Sequence, residues 1–100
     1  MENKENKNSV LYRAFDIVEN RGEEKTRQYG PFSECMDRAA QIASAMAGKK
    51  FTTHDMFIAL TALKFARQSF NFKEDNILDA LAYLGAWQNY IDEKGDKKNV

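Results

Sequence analysis

An all-α fold is what this sequence predicts, and two observations predict it. The long apolar segments repeat with spacings of three and four residues. One proline and five glycines occur in 100 residues, so few positions interrupt a helix. The pattern resolves into a single domain over residues 9–93, a four-helix module with helices near 9–20, 33–47, 53–69 and 72–93. The polar ends, 1–8 and 94–100, are expected to be disordered tails.

The first helix places Leu11, Ala14, Phe15 and Val18 on one face and is expected to stop near Gly22. A charged connector, Arg21 to Gln28, follows, and Tyr29-Gly30-Pro31 forms a rigid bend before Ser33, the expected N-cap of the second helix. That helix carries Ala39, Ala40, Ala43, Ala45 and Ala47, small side chains that permit close approach, and ends at Gly48. Thr52 with Asp55 has the spacing of a capping box and opens the third helix. Asn71 with Glu74 has the same spacing and opens the fourth, where Ile77, Leu78, Leu81, Ala82, Leu84, Trp87 and Ile91 point in several directions. A helix apolar on more than one side needs burial on two sides. In a four-helix monomer that is hard to arrange, so the sequence predicts a homo-oligomer with the fourth helix or the Ala-rich second helix at the interface.

Fifteen Lys and Arg balance fifteen Asp and Glu, giving zero formal net charge with no basic stripe. Duplex nucleic acid is therefore not an expected partner. The 43% hydrophobic content suffices for one core, although so short a chain leaves much surface exposed unless subunits associate. The lone Cys35 forms no internal disulfide, and no Cys/His cluster has zinc-ligand spacing. With neither a signal-peptide pattern nor an apolar run long enough for a membrane span, a cytoplasmic protein is expected.

Asp75, Asp79 and Tyr83 stand at i, i+4 and i+8, which aligns two carboxylates and a phenol along one helix face. Two aligned carboxylates repel unless a cation lies between them, and such oxygen donors suit Mg²⁺, a common companion of nucleotide phosphates. Asp75 is equally well read as a solvated first-turn acid that favours the helix dipole. Asp79, deeper among apolar neighbours, needs a partner. Lys64 and Arg67, three residues apart on the third helix, fit either phosphate or a salt-bridge network with Asp75 and Asp79. On the second helix, Glu34 and Asp37 are close enough in sequence to share a metal, with solvated surface as the simpler reading. Cys35 and His54 lack the neighbours that would activate a nucleophile, so covalent hydrolase chemistry is not expected.

Three segments carry a family resemblance: Arg27-Gln28-Tyr29-Gly30-Pro31-Phe32, Leu63-Lys64-Phe65-Ala66-Arg67, and Asp75 through Tyr83. Over about residues 26–91 they resemble a small phage-associated helical family of unknown function. The third also resembles the last catalytic helix of the MazG-like, all-α nucleoside triphosphate pyrophosphatases. That resemblance implies Mg²⁺ at Asp75 and Asp79, with Glu34 and Asp37 matching the spacing of an earlier acidic set in which Asp replaces Glu. It also implies phosphates near Lys64 and Arg67, with Arg27 in the ligand set, and a base stacked on Tyr29, Tyr83 or Trp87. Three functions follow as expectations: a Mg²⁺-dependent pyrophosphohydrolase, a non-catalytic sponge for a cyclic nucleotide or related immune signal in an anti-defence role, and a structural or protein-inhibiting oligomer.

Overall fold

The computed structural model describes residues 9–20, 25, 27–28 and 31–94. Among them the chain forms four helices and no strand: α1 (Val10–Glu19), α2 (Phe32–Ala47), α3 (Thr53–Phe70) and α4 (Glu74–Lys94). Lys25, Arg27 and Gln28 also have helical geometry, where the sequence suggests a connector. The expected tails, apart from Lys94, and the expected stop at Gly22 lie outside the described residues.

Local chemistry accounts for the helix ends. Ser9 caps α1 by accepting from the Tyr12 amide, and the helix closes at Asn20. Gly48 ends α2 with φ 72°, a left-handed conformation that glycine adopts without Cβ strain. Thr52 and Asp55 form the expected capping box, each side chain accepting from the other's backbone N–H. Two expected starts move. Pro31, not Ser33, is the N-cap of α2, and it has no side-chain cap bond. Beginning one residue before Ser33 brings Phe32 into the helix, where its ring meets Phe57 at 5.9 Å and Tyr83 at 6.2 Å between centroids. Asn71 closes α3 by donating its N–H to the Arg67 carbonyl rather than opening α4. The turn is held instead by Gln68, whose Oε1 accepts from the Lys73 amide and from Asn76 Nδ2.

The core is aromatic and centres on Phe57, which is fully buried and packs against Phe32, Trp87 and Tyr90. Among the described residues the other buried apolar side chains are Met36 and four small ones, Ala14, Ala40, Ala80 and Ala82. α4 is the central helix, packed chiefly by α1 and α3 and touched by α2. Two neighbours within one chain thus cover much of the two-sided apolar surface of α4. On α4 itself Leu84 stays 40% exposed, and the other large exposed apolar side chains among the described residues lie outside this helix. Leu11 and Phe15, expected on the buried face of α1, are 67% and 58% exposed, and on α3 Ile58 and Phe65 are about half exposed.

Candidate functional site

The candidate site runs along one face of α4. Asp79 accepts an ion pair from Lys64 Nζ at 2.9 Å, so the α3 cation and the α4 carboxylate singled out by sequence do meet. Antiparallel packing of α3 on α4 explains the register: Lys64 faces Asp79, and Gln68, one turn further along α3, reaches back to Asn76. Asp75, one turn before Asp79, and Arg67, one residue before Gln68, are both exposed at this end. Neither side chain has an ion-pair partner among the described residues. Arg67 lines a shallow depression with Phe70, Lys73 and Asn76.

Moving along α4, successive positions four apart rise about 6 Å per step and turn only slightly, so Asp75, Asp79 and Tyr83 span about 12 Å. Beside Tyr83 lies a pocket of about 250 Å³ walled by Ile17 and Val18 of α1, Phe32 of α2, and Ala82 and Ala86 of α4, with Lys25 at its edge. Phe32 lies parallel to the Tyr83 ring, with 5° between planes, and holds it in place. The helical period puts Ala82 and Ala86 on the same side of α4 as Asp75 and Asp79. The face therefore passes from carboxylates to an apolar, aromatic pocket, flanked by α1 and α3.

The α2 carboxylates are placed elsewhere. Asp37 Oδ1 accepts from Thr53 Oγ1 at 2.6 Å and from the Tyr90 hydroxyl at 3.5 Å. Tyr90 lies eleven residues beyond Asp79, about 16 Å further along α4. Glu34, one turn before Asp37, is exposed. The structure thus brings Asp75, Asp79, Lys64 and Arg67 to one end of the α3–α4 pair and does not bring Glu34 or Asp37 to them. Among the described residues, no three His, Cys, Asp or Glu side chains converge to hold a metal. Arg27 is exposed and helical, and Tyr29 lies outside the described residues.

Two features escape the sequence reading. Arg13 of α1 bonds Glu74 at the start of α4, while its Nε is buried without a hydrogen-bond partner among the described residues. A single arginine on a short helix carries no sequence signal, because its partner is 61 residues away. His54 is not solitary either. Its Nδ1 accepts from Trp87 Nε1 at 2.8 Å, and its ring meets Tyr90 edge-on at 5.6 Å. The i, i+3 spacing of Trp87 and Tyr90 was the available signal, since it puts both rings on one face.

Fold and site together define a small helical domain in which one face of α4 carries charged side chains at its start and an aromatic-walled pocket two turns further on. The chain belongs to the DUF6378 family, a domain of unknown function whose model matches residues 9–91. No curated protein and no solved structure matches it. None of the helices among the described residues is long and apolar enough to cross a membrane.

Proposed function

We propose that the chain binds a nucleotide, as its Mg²⁺ complex, along the exposed face of α4. The observation that supports this most directly is the alignment of Asp75 and Asp79 with the Tyr83 pocket, at a spacing that suits phosphates at one end and a base at the other. Mg²⁺ is commonly held by one or two carboxylates, its other positions filled by water and phosphate oxygens, so two aspartates are a sufficient protein contribution. Arg67 supplies a planar, fixed set of donors for phosphate, and Lys64 holds Asp79 in position. The base enters beside Tyr83, between Val18 and Ala86. The MazG-like resemblance in the Asp75–Tyr83 segment supports the same assignment of ends.

Capture, rather than turnover, is the reading that the geometry favours. Of the earlier acidic set that the MazG-like resemblance implies, Asp37 bonds Tyr90, which lies about 16 Å beyond Asp79 along α4, and Glu34 is exposed. Homo-oligomerisation belongs to the proposal on new grounds. Ile58, Ala62 and Phe65 form an exposed stripe on α3, and a second copy covering it would remove from water apolar surface that one chain leaves open.

The test is incubation of purified protein with Mg²⁺ and a panel of nucleoside triphosphates and cyclic dinucleotides, followed by mass spectrometry before and after denaturation. Release of an intact nucleotide only on denaturation is the expected result. Conversion to a monophosphate and pyrophosphate replaces capture with hydrolysis, and no bound or altered compound removes the nucleotide reading. Light scattering at several protein concentrations reads the assembly, and a mass of one chain throughout refutes the oligomer.

A further inference from the structure

A second cavity, larger than the Tyr83 pocket, opens where α2 turns back into α3. It is a cleft of about 690 Å³ whose walls include Asp37, Ser44, Lys49, Phe51, His54 and Tyr90. None of the groove residues named above borders it. Lys50 also stands at its rim, and both lysines are exposed.

Its charge is unbalanced in a chain whose total is zero. Two ammonium groups face one carboxylate, and that carboxylate is already taken up by Thr53 Oγ1 and the Tyr90 hydroxyl. No carboxylate among the described residues pairs with Lys49 or Lys50; Lys49 instead lies over the Phe51 ring, 5.8 Å from its centroid. Two adjacent cations against one carboxylate leave a positive excess, which favours an anion, and a dianion more than a monoanion.

The frame around those lysines is fixed before any ligand arrives. Phe51 donates its N–H to Ser44 Oγ at 2.8 Å, and Ser44 donates to the Ala40 carbonyl at 2.7 Å, which ties the hairpin to the last turns of α2. Across the cleft, Trp87 holds His54, and Tyr90 is packed on Phe57. Phe51, His54 and Tyr90 thus give a wall of otherwise mostly polar residues its aromatic part, with Lys94 Nζ 5.7 Å from the Tyr90 ring centroid, and the lysines sit on flexible stems. A cleft of this volume takes more than an inorganic ion.

We propose that this cleft is a binding site for a phosphate monoester carried on a planar ring, with the phosphate at Lys49 and Lys50 and the ring between Phe51 and Tyr90. The site is independent of the α4 groove and of any nucleotide bound there.

Trp87 is the only tryptophan and its indole N–H ends on His54 at the cleft wall, so it reports occupancy directly. Phenyl phosphate is the probe, titrated into the full chain while the Trp87 indole N–H resonance is followed by NMR. A saturable shift is expected with phenyl phosphate and a weaker one with inorganic phosphate. The exposed double substitution Lys49→Gln, Lys50→Gln should weaken the response at least tenfold, and Arg67→Gln in the groove should leave it unchanged. No saturable shift in the millimolar range overturns the site. So does equal affinity in the double variant, or equal response to inorganic phosphate, since the ring would then contribute nothing. Loss of the response in Arg67→Gln alone would place the probe in the groove and overturn it as well.

Discussion

The Lys64–Asp79 pair should show an asymmetric cost when it is broken from either side. The Lys64 side chain is 15% exposed and that of Asp79 is 40% exposed, with 2.9 Å between Nζ and Oδ2. Asp79→Asn leaves a largely buried ammonium without its counter-charge, a loss of about 2 kcal/mol on the scale of charged hydrogen bonds. Lys64→Met leaves a carboxylate that water reaches, and the Met stem keeps the packing of the lysine stem, so the loss is about 1 kcal/mol. Fully exposed ion pairs contribute about 0.2–1 kcal/mol, so a half-buried pair with direct contact should show a coupling of about 1 kcal/mol in a double-mutant cycle. A domain of this size has roughly 5–10 kcal/mol of stability, so every variant should remain folded. Urea unfolding followed by Trp87 fluorescence measures all three, with midpoints expected in the order wild type, Lys64→Met, Asp79→Asn. A coupling below about 0.3 kcal/mol, or the reverse order of single costs, would refute the assignment of the pair as a positioning contact for Asp79.

Three further outcomes follow from the same contacts. Asp75→Asn, at an exposed position without a partner among the described residues, should change stability by less than about 0.5 kcal/mol while lowering Mg²⁺-dependent nucleotide retention at least tenfold, read by equilibrium dialysis with and without chelator. Phe57→Ala removes the side chain on which Phe32, Trp87 and Tyr90 converge and should cost about 3–5 kcal/mol in denaturant titration, the largest effect of any single truncation. Thr52→Ala dissolves the reciprocal cap of α3 and should cost about 1 kcal/mol, with no loss of nucleotide retention, since the groove lies at the opposite end of α3.

The helices were legible because their ends are written in local chemistry. Gly48 and the Thr52–Asp55 box act within a few residues of themselves, and both do in the structure what their neighbours require. Boundaries failed where a distant contact decided them. Phe32 joins α2 because its ring has Phe57 and Tyr83 to pack against, and Asn71 serves α3 because Gln68 already holds the following turn. Neither fact is visible within a window of one helix. The same limit explains α1, where spacing names Leu11 and Phe15 as one face with Ala14, while only the placement of α4 determines which part of that face is covered.

The site divides along the same line, and the division bears on function. Spacing on α4 aligned Asp75, Asp79 and Tyr83, and the antiparallel contact with α3 then brought Lys64 to Asp79, as one of the two readings of those charges requires. Spacing on α2 suggested a matching role for Glu34 and Asp37, but a helix face says nothing about the height at which it meets another helix. Because α2 crosses α4 near Tyr83 and Tyr90, Asp37 bonds Thr53 and Tyr90, about 16 Å past Asp79 along α4, and not the aspartates that the resemblance paired it with. The proposed nucleotide site therefore rests on two carboxylates, one arginine and an aromatic pocket along α4. Among the described residues Glu34 and Asp37 do not join those aspartates, and the proposal of capture is therefore tested first by retention, with turnover read in the same assay.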